Sequence, residues 1–120
     1  MIDHVGFEVS DLHRSARFYD AVFYALGARR IVELEHVLAY GINGPVVWFS
    51  ARGIEPAPGY GHLALSASGK AAVDAAYAAG LANGGSDDGP PGPRPQYGRR
   101  YYAAYLRDPD QLRVEVVARR

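Results

Sequence analysis

The stretch Arg107-Asp-Pro-Asp-Gln-Leu-Arg-Val-Glu-Val-Val117 decides how the chain ends and, with it, the fold. Its opening residues are typical of a tight turn, and the remainder predicts a β-strand. Within that strand, Glu115 stands between Val114 and Val116. A carboxylate in an apolar strand must reach solvent, pair with a cation or bind a metal, because burying an unpaired charge is costly.

Two histidines, His4 and His62, stand in strands of the same character far upstream of Glu115. Alternating apolar and polar residues predict that both histidines, together with Gly6 and Ala64, lie on faces turned away from the core. Two imidazoles and one carboxylate suit Fe(II), Mn(II), Ni(II), Co(II) or Zn(II). We therefore predict a divalent metal site formed by His4, His62 and Glu115.

Solvation and ion pairing offer a simpler explanation of the same three residues. His4 would then be a surface histidine, and His62 a hydrogen-bonded residue in a cleft. Glu115 would pair with Arg113 or Arg107. Widely spaced ligands on separate strands do not by themselves decide between the two explanations.

The predicted elements occur twice in the same order, which predicts an α+β fold of two βαβββ modules in one domain, 1–120. Module one spans 1–51, a Gly- and Pro-rich linker spans 52–59, and module two spans 60–120. The elements expected in module one are strand 2–9, a helix capped by Ser10 or Asp11 and ended by Gly27, and strands 29–35, 37–42 and 46–50. Those expected in module two are strand 61–67, a helix capped by Ser68, a short strand at 86–89, and strands 101–107 and 112–118. Each helix is expected to cover its own sheet, which leaves the opposite faces to form a cup.

Aligning the two modules sets His4 against His62, and Trp48 against Glu115. Two of the three candidate ligands thus occupy the same position in the first strand of each module. This coincidence favours the metal site over the simpler explanation.

Composition argues against several classes of protein. Thirteen basic residues balance thirteen acidic ones, so we expect neither nucleic acid nor an anionic membrane as a partner. Cysteine is absent, which excludes disulfides and thiolate ligands. No apolar run reaches the roughly 20 residues of a membrane span and no signal peptide is visible, so we expect a cytoplasmic protein.

Several segments carry a resemblance that covers nearly the whole chain. They are Ile2-Asp-His-Val-Gly-Phe-Glu-Val-Ser-Asp-Leu12, Ser15-Ala-Arg-Phe-Tyr19, Gly61-His-Leu-Ala-Leu65, Tyr102-Ala-Ala-Tyr-Leu-Arg-Asp-Pro-Asp110 and Val114-Glu-Val116. In content and order they resemble the vicinal oxygen chelate superfamily, which includes glyoxalase I, bleomycin-resistance proteins, fosfomycin-resistance enzymes and extradiol dioxygenases. The resemblance implies paired βαβββ units and the ligands His4, His62 and Glu115. It also implies a homodimer in which units from two chains complete the cup.

Three departures narrow this resemblance. Glyoxalase I carries a fourth, acidic ligand where Trp48 stands, so the chain looks more like the three-ligand dioxygenase and fosfomycin-modifying branches. The segment Arg94-Pro-Gln-Tyr-Gly-Arg-Arg-Tyr101 replaces the Ser- and Gly-bearing loop usual in fosfomycin enzymes. Gln111 replaces the glycine of the usual Asp-Pro-Asp-Gly turn, which is expected to alter the turn and not the site.

Further side chains on the cup face are candidates for catalysis and substrate binding. We predict that Tyr101 and Tyr105 act as general acids or donate to an oxyanion, and that Glu8 orients the nearby histidine or acts as a base. Trp48 and Arg107 are predicted to bind substrate. The two tyrosines could instead be packing residues, since aromatic side chains commonly fill a curved sheet. Glu8 could instead be a solvent-exposed residue at the end of a strand.

The predicted function is that of a metal-dependent small-molecule enzyme of the glyoxalase or dioxygenase kind. Its ion would chelate two neighbouring oxygens of the substrate and act as a Lewis acid. The alternative is a metal-free protein, similar to bleomycin-resistance proteins, that sequesters an aromatic drug on Trp48, Tyr101 and Tyr105. The set of two histidines and one glutamate favours the enzyme, because a sequestering protein needs none of them.

Overall fold

The computed structural model describes residues 1–57, 59 and 61–120, which form two four-stranded sheets and two helices. The elements are β1 (Val5–Glu8), α1 (Leu12–Ala25), β2 (Arg29–Glu33), β3 (Val37–Gly41), β4 (Pro45–Ser50), β5 (His62–Ser66), α2 (Lys70–Ala82), β6 (Ser86–Pro93), β7 (Tyr102–Arg107) and β8 (Arg113–Ala118). The strand orders are β1-β4-β3-β2 and β5-β8-β7-β6, so the second half repeats the first. The predicted α+β fold of two βαβββ modules is confirmed.

The first and last strands of each half are parallel neighbours. Gly6 of β1 lies opposite Trp48 of β4, and Ala64 of β5 lies opposite Glu115 of β8. The register therefore agrees with the predicted alignment of Trp48 with Glu115.

Helix α1 begins and ends as its sequence predicts. The Asp11 side chain accepts a hydrogen bond of 3.0 Å from the Arg14 amide, which satisfies one of the free N–H groups at the helix start. The helix ends before Gly27, whose φ of +82° lies in the left-handed region that glycine adopts at little cost. Its buried face consists of Ser15, Ala16, Phe18, Tyr19, Val22 and Phe23.

Helix α2 differs from the prediction at its start. Its cap is Gly69, which makes no side-chain hydrogen bond, so the prediction of Ser68 as the cap is wrong. Near its end, Gly80 lets α2 lie close to both α1 and strand β7. A Cβ atom at Gly80 would lie 2.6 Å from Leu106 Cδ1 and 3.1 Å from Phe18 Cε1.

The two halves share one hydrophobic core. Its buried residues come from α1, α2 and the inner faces of both sheets. A separate, smaller cluster of Ala103, Tyr105 and Val117 lies on the other face of the second sheet. The helix-covered faces thus pack together within the chain, and the opposite sheet faces are left for other contacts. Neither helix within the described residues is long and apolar enough to cross a membrane.

Strands β1, β2 and β6 differ most in length from prediction. Strand β1 spans Val5–Glu8, whereas a strand over 2–9 was expected, so His4 lies just outside it. Strand β2 ends at Glu33, whereas the predicted strand ran to Glu35. Strand β6 extends from Ser86 to Pro93, whereas only a short strand at 86–89 was expected. Prolines are tolerated there because β6 is an edge strand, and register shifts at Asp87/Gly89 and Gly89/Gly92 absorb the misfit.

The segment between the halves contains neither helix nor strand in its described residues, 52–57 and 59. The predicted linker also includes Pro58, and the predicted start of module two is Tyr60; both lie outside the described residues. The module boundaries therefore stay predictions.

The Asp108 turn joins β7 to β8 and is anchored to α1. Buried Asp108 accepts hydrogen bonds from the Tyr19 hydroxyl (2.6 Å) and from the amides of Asp110 (2.8 Å) and Leu112 (2.9 Å). Gln111 has a φ of +73°, so it takes the left-handed conformation that glycine favours. The turn therefore keeps a glycine-like backbone at this position, although an altered turn was expected.

Candidate metal centre

Glu115 and His62 form the chemical centre of the second sheet. The Glu115 side chain is only 3% exposed, and its Oε1 lies 3.1 Å from His62 Nε2. Its other oxygen, Oε2, accepts a hydrogen bond from the Tyr101 hydroxyl. The His62 side chain is 46% exposed. A buried carboxylate thus stands beside an imidazole that solvent can reach.

Strand register produces this arrangement. Glu115 lies between Ala64 of β5 and Tyr105 of β7, and alternation along β5 brings His62 to the same face as Ala64. Ala64 is small, so the imidazole can lean over it towards the carboxylate. Tyr101 lies on this face for the same reason, four residues before Tyr105.

His4 lies apart from this pair. It directly precedes β1 in the other sheet, its side chain is 57% exposed, and its Nδ1 lies 2.6 Å from Asp3 Oδ1. The His4 and Trp48 ring centroids are 6.2 Å apart. Within the part of the chain that the structure describes, no three His, Asp or Glu residues are grouped so that they could hold a metal ion. One chain therefore brings together two of the three predicted ligands.

The two residues fit half of a metal site. His62 offers a nitrogen and Glu115 an oxygen on one face, and this donor pair suits borderline divalent ions. Tyr101 holds the second carboxylate oxygen, an outer-shell hydrogen bond of the kind that orients a ligating carboxylate. A complete site needs at least one further ligand.

Among the described residues, Glu115 does not pair with an arginine, which was the simpler explanation of its position. Arg113 Nε lies 2.8 Å from Asp88 Oδ2, and Arg107 Nε lies 3.1 Å from the same oxygen. The partners of Glu115 are instead His62 and Tyr101.

Both predicted catalytic tyrosines lie beside Glu115. Burial, and then the hydrogen bond to Glu115, raises the pKa of Tyr101 to about 12. Burial, followed by the charge of Glu115, raises the pKa of Tyr105 as well. Two guanidinium groups lie over the Tyr105 ring, with Arg113 Cζ at 4.1 Å and Arg94 Cζ at 5.7 Å from its centroid. Both phenols therefore stay protonated near neutral pH and can donate hydrogen bonds.

Glu8 lies on the first sheet and is engaged by Arg52. The Arg52 amide and Nε donate hydrogen bonds of 2.8 and 2.9 Å to its two carboxylate oxygens. The bond from the Arg52 amide is the main reason that the pKa of Glu8 lies below its usual range. Trp48 is partly exposed on the same sheet, beside His4.

Sequence reasoning did not single out Asp88 and Arg119. Arg119 Cζ lies 4.8 Å from the Tyr101 ring centroid, and Asp88 pairs with two arginines. Alternation in the last strand already places Arg119 on the face of Glu115, so this residue could have been found. Asp88 lies in a bulged, Pro- and Gly-rich strand whose pattern gives no such signal.

Comparison with known proteins identifies the class. The sequence profile of the Glyoxalase/Bleomycin resistance protein/Dioxygenase superfamily matches residues 1–116. The chain therefore belongs to this superfamily, as the resemblance of its motifs implied. A search of curated proteins finds no match.

Solved structures agree with this assignment. A glyoxalase/bleomycin resistance protein from Albidiferax ferrireducens T118 shares 32% identity over 98% of this chain and 97% of its own, with a TM-score of 0.84. A glyoxalase-related enzyme from Fulvimarina pelagi shares 24% identity over 98% and 86%, with a TM-score of 0.77. A fosfomycin resistance protein from Mesorhizobium loti shares 23% identity over 96% and 88%, with a TM-score of 0.70. The last two likenesses show the fold alone.

Proposed function

We propose that this protein is a metal-dependent enzyme acting on a small molecule, with His62 and Glu115 as ligands of a divalent Fe, Mn, Ni, Co or Zn ion. The observation that carries the proposal is the buried Glu115 carboxylate 3.1 Å from an exposed imidazole. A buried carboxylate needs a partner, and neither neighbouring arginine of β7 or β8 pairs with it. The bound ion would supply Lewis acidity towards two neighbouring substrate oxygens.

The third ligand in this proposal is His4 of a second copy of the chain. His4 and the Glu115 pair belong to different sheets, on faces that the shared core leaves uncovered. In a symmetric dimer, the outer face of the first sheet of each chain would meet the outer face of the second sheet of its partner. Such a dimer would contain two identical sites. The expected homodimer and the metal site are thereby one proposal.

Side chains of the second sheet would complete the chemistry. Tyr101 would hold the carboxylate in its ligating orientation, because its hydroxyl already donates to Glu115. Tyr105 would donate a proton or hydrogen bond to an oxyanion of the substrate. Trp48 and Arg107 would contact the bound substrate from the two sheets. Glu8 is left out of the proposal, because Arg52 occupies both its oxygens.

One observation favours the alternative, a metal-free binding protein. The rings of Tyr97 and Tyr101 lie 5.4 Å apart, and Tyr97 is 60% exposed, so an aromatic ligand could stack there. This surface would serve equally as a wall of an enzyme site. A metal titration separates the two functions, because a sequestering protein requires no ion.

The proposal is tested by calorimetric titration of the metal-stripped protein with Mn(II), Fe(II), Co(II), Ni(II) and Zn(II). At least one ion should bind at about one per chain, and Glu115→Gln should weaken it by at least about tenfold. Glu55→Gln, at an exposed carboxylate of the segment between the two modules, is the matched control and should leave the affinity unchanged. Absence of stoichiometric binding by the wild type would exclude the metal-dependent function. Equal affinity in Glu115→Gln would exclude the assigned site.

A further inference from the structure

We infer that the small molecule taken by the proposed site is an organic anion, held through a carboxylate- or phosphate-type group by arginines beside Glu115. This inference rests on the proposed function, since it names the class of substrate for the same site. It is carried by the charges, stacking and unused donors of the outer face of the second sheet.

Positive charge exceeds negative charge on this face. Its cations are Arg94, Arg107, Arg113 and Arg119, and its carboxylates are Asp88 and Glu115. Asp88 is shared by Arg107 and Arg113, and Glu115 is engaged by His62 and Tyr101. Among the described residues, no carboxylate forms an ion pair with the other two arginines. Such a concentration of one sign beside a ligand pair attracts an anion.

Aromatic stacking fixes three of these guanidinium groups. Arg113 and Arg94 lie over the Tyr105 ring, at 4.1 and 5.7 Å from its centroid, and Arg119 lies 4.8 Å from the centroid of Tyr101. Stacking uses the faces of the guanidinium groups and leaves N–H edges for planar recognition of an oxyanion. The edges left in this way are those of Arg119 and the terminal nitrogens of Arg113, because Arg113 Nε donates to Asp88 and both terminal nitrogens of Arg94 donate to backbone carbonyls. Arginines that served only for solvation would gain nothing from this ordering, which costs side-chain entropy.

The Tyr105 hydroxyl supplies a further donor. The ring is buried, yet none of the described residues hydrogen-bonds to its hydroxyl. Because Tyr105 lies opposite Glu115, this donor belongs to the same face as the ligand pair. Stacked guanidinium groups and one unused phenol around two ligands form a site for a molecule that carries both chelating oxygens and negative charge.

The inference is tested with malonate and its neutral isostere malonamide, titrated calorimetrically into the metal-free protein at low ionic strength. Malonate should bind at least about tenfold more tightly, because only it forms charge-assisted hydrogen bonds. Arg113→Gln and Arg119→Gln should each weaken malonate about five- to tenfold. Arg29→Gln, which removes the same charge from an exposed position on β2, is the control and should have little effect.

Two results would overturn the inference: equal affinity for malonate and malonamide in the wild type, or equal losses in Arg29→Gln and in the two site variants. The test is independent of the metal. Glu115→Gln should bind malonate at least as tightly as the wild type, because one negative charge has been removed. A protein that binds malonate in this way but no metal would refute the proposed function and leave the anion site standing.

Discussion

Trp48 stands in the first half of the chain where Glu115 stands in the second. Each lies opposite a small residue, Gly6 or Ala64, across a parallel pair of strands. The repeat therefore presents one half-site with a histidine and a carboxylate, and another with a histidine and an aromatic ring. Combining the two unlike halves would give the three-ligand site proposed above, without a fourth ligand.

Tyr19 is expected to stabilise the fold through Asp108. In Tyr19→Phe, the buried carboxylate loses the hydroxyl that donates to it at 2.6 Å, which should cost about 1–3 kcal/mol of unfolding free energy. Urea unfolding measures this loss. Tyr24→Phe removes a hydroxyl from the same helix at a residue that is 83% exposed, and should change stability by less than about 0.5 kcal/mol. Equal effects in the two variants would contradict the role given to Asp108.

Gln111 is expected to strain the turn before β8. Its φ of +73° is unfavourable for a residue with a Cβ atom, so Gln111→Gly should stabilise the protein by about 1 kcal/mol. Gln96→Gly is the control: its φ is not in the left-handed region, and added chain flexibility should make it neutral or destabilising. A loss of stability in Gln111→Gly would show that the turn is unstrained.

Glu8 is expected to contribute to stability in a pH-dependent way. Arg52 lowers the pKa of Glu8, so the folded state binds fewer protons than the unfolded state as the pH falls past about 4.3. The contribution is present above that value and is lost as the pH falls through the folded-state pKa. Wild type should therefore exceed Glu8→Gln in stability at pH 7, and the difference should shrink by pH 3. A difference between wild type and Glu8→Gln that stays constant from pH 7 to pH 3 would refute the ion pair.

The strands that carry the candidate site could be predicted from the local alternation of apolar and polar residues. Alternation placed His62 and Glu115 on outer faces, and a single pair of elements, β5 and β8, then brings them together. The length of β6 could not be predicted from the sequence. Its three prolines indicate a loop unless the strand is known to lie at the edge of a sheet. Gln111 could not be placed either, since its conformation is imposed by the hydrogen bonds of Asp108 and not by its own preference.

The position of His4 relative to His62 and Glu115 could not be predicted from the sequence for a different reason. Pattern assigns residues to faces, but it does not say which face of one module meets which face of another. In the structure the shared core joins the helix-covered faces, and within the described residues His4 is not grouped with His62 and Glu115. Whether they meet in a dimer depends on a second chain.

Metal binding by a mixed dimer tests this account most directly. His4→Ala and Glu115→Ala chains, carrying different tags, are co-expressed, and the mixed dimer is purified by both tags and titrated with the metal that the wild type binds. Each variant alone should bind weakly. The mixed dimer should regain about one tight site, because one cup receives His4 from one chain and the intact His62–Glu115 pair from the other. A mixed dimer as weak as its parents, or a wild type that is monomeric while binding metal, would contradict a site shared between two chains.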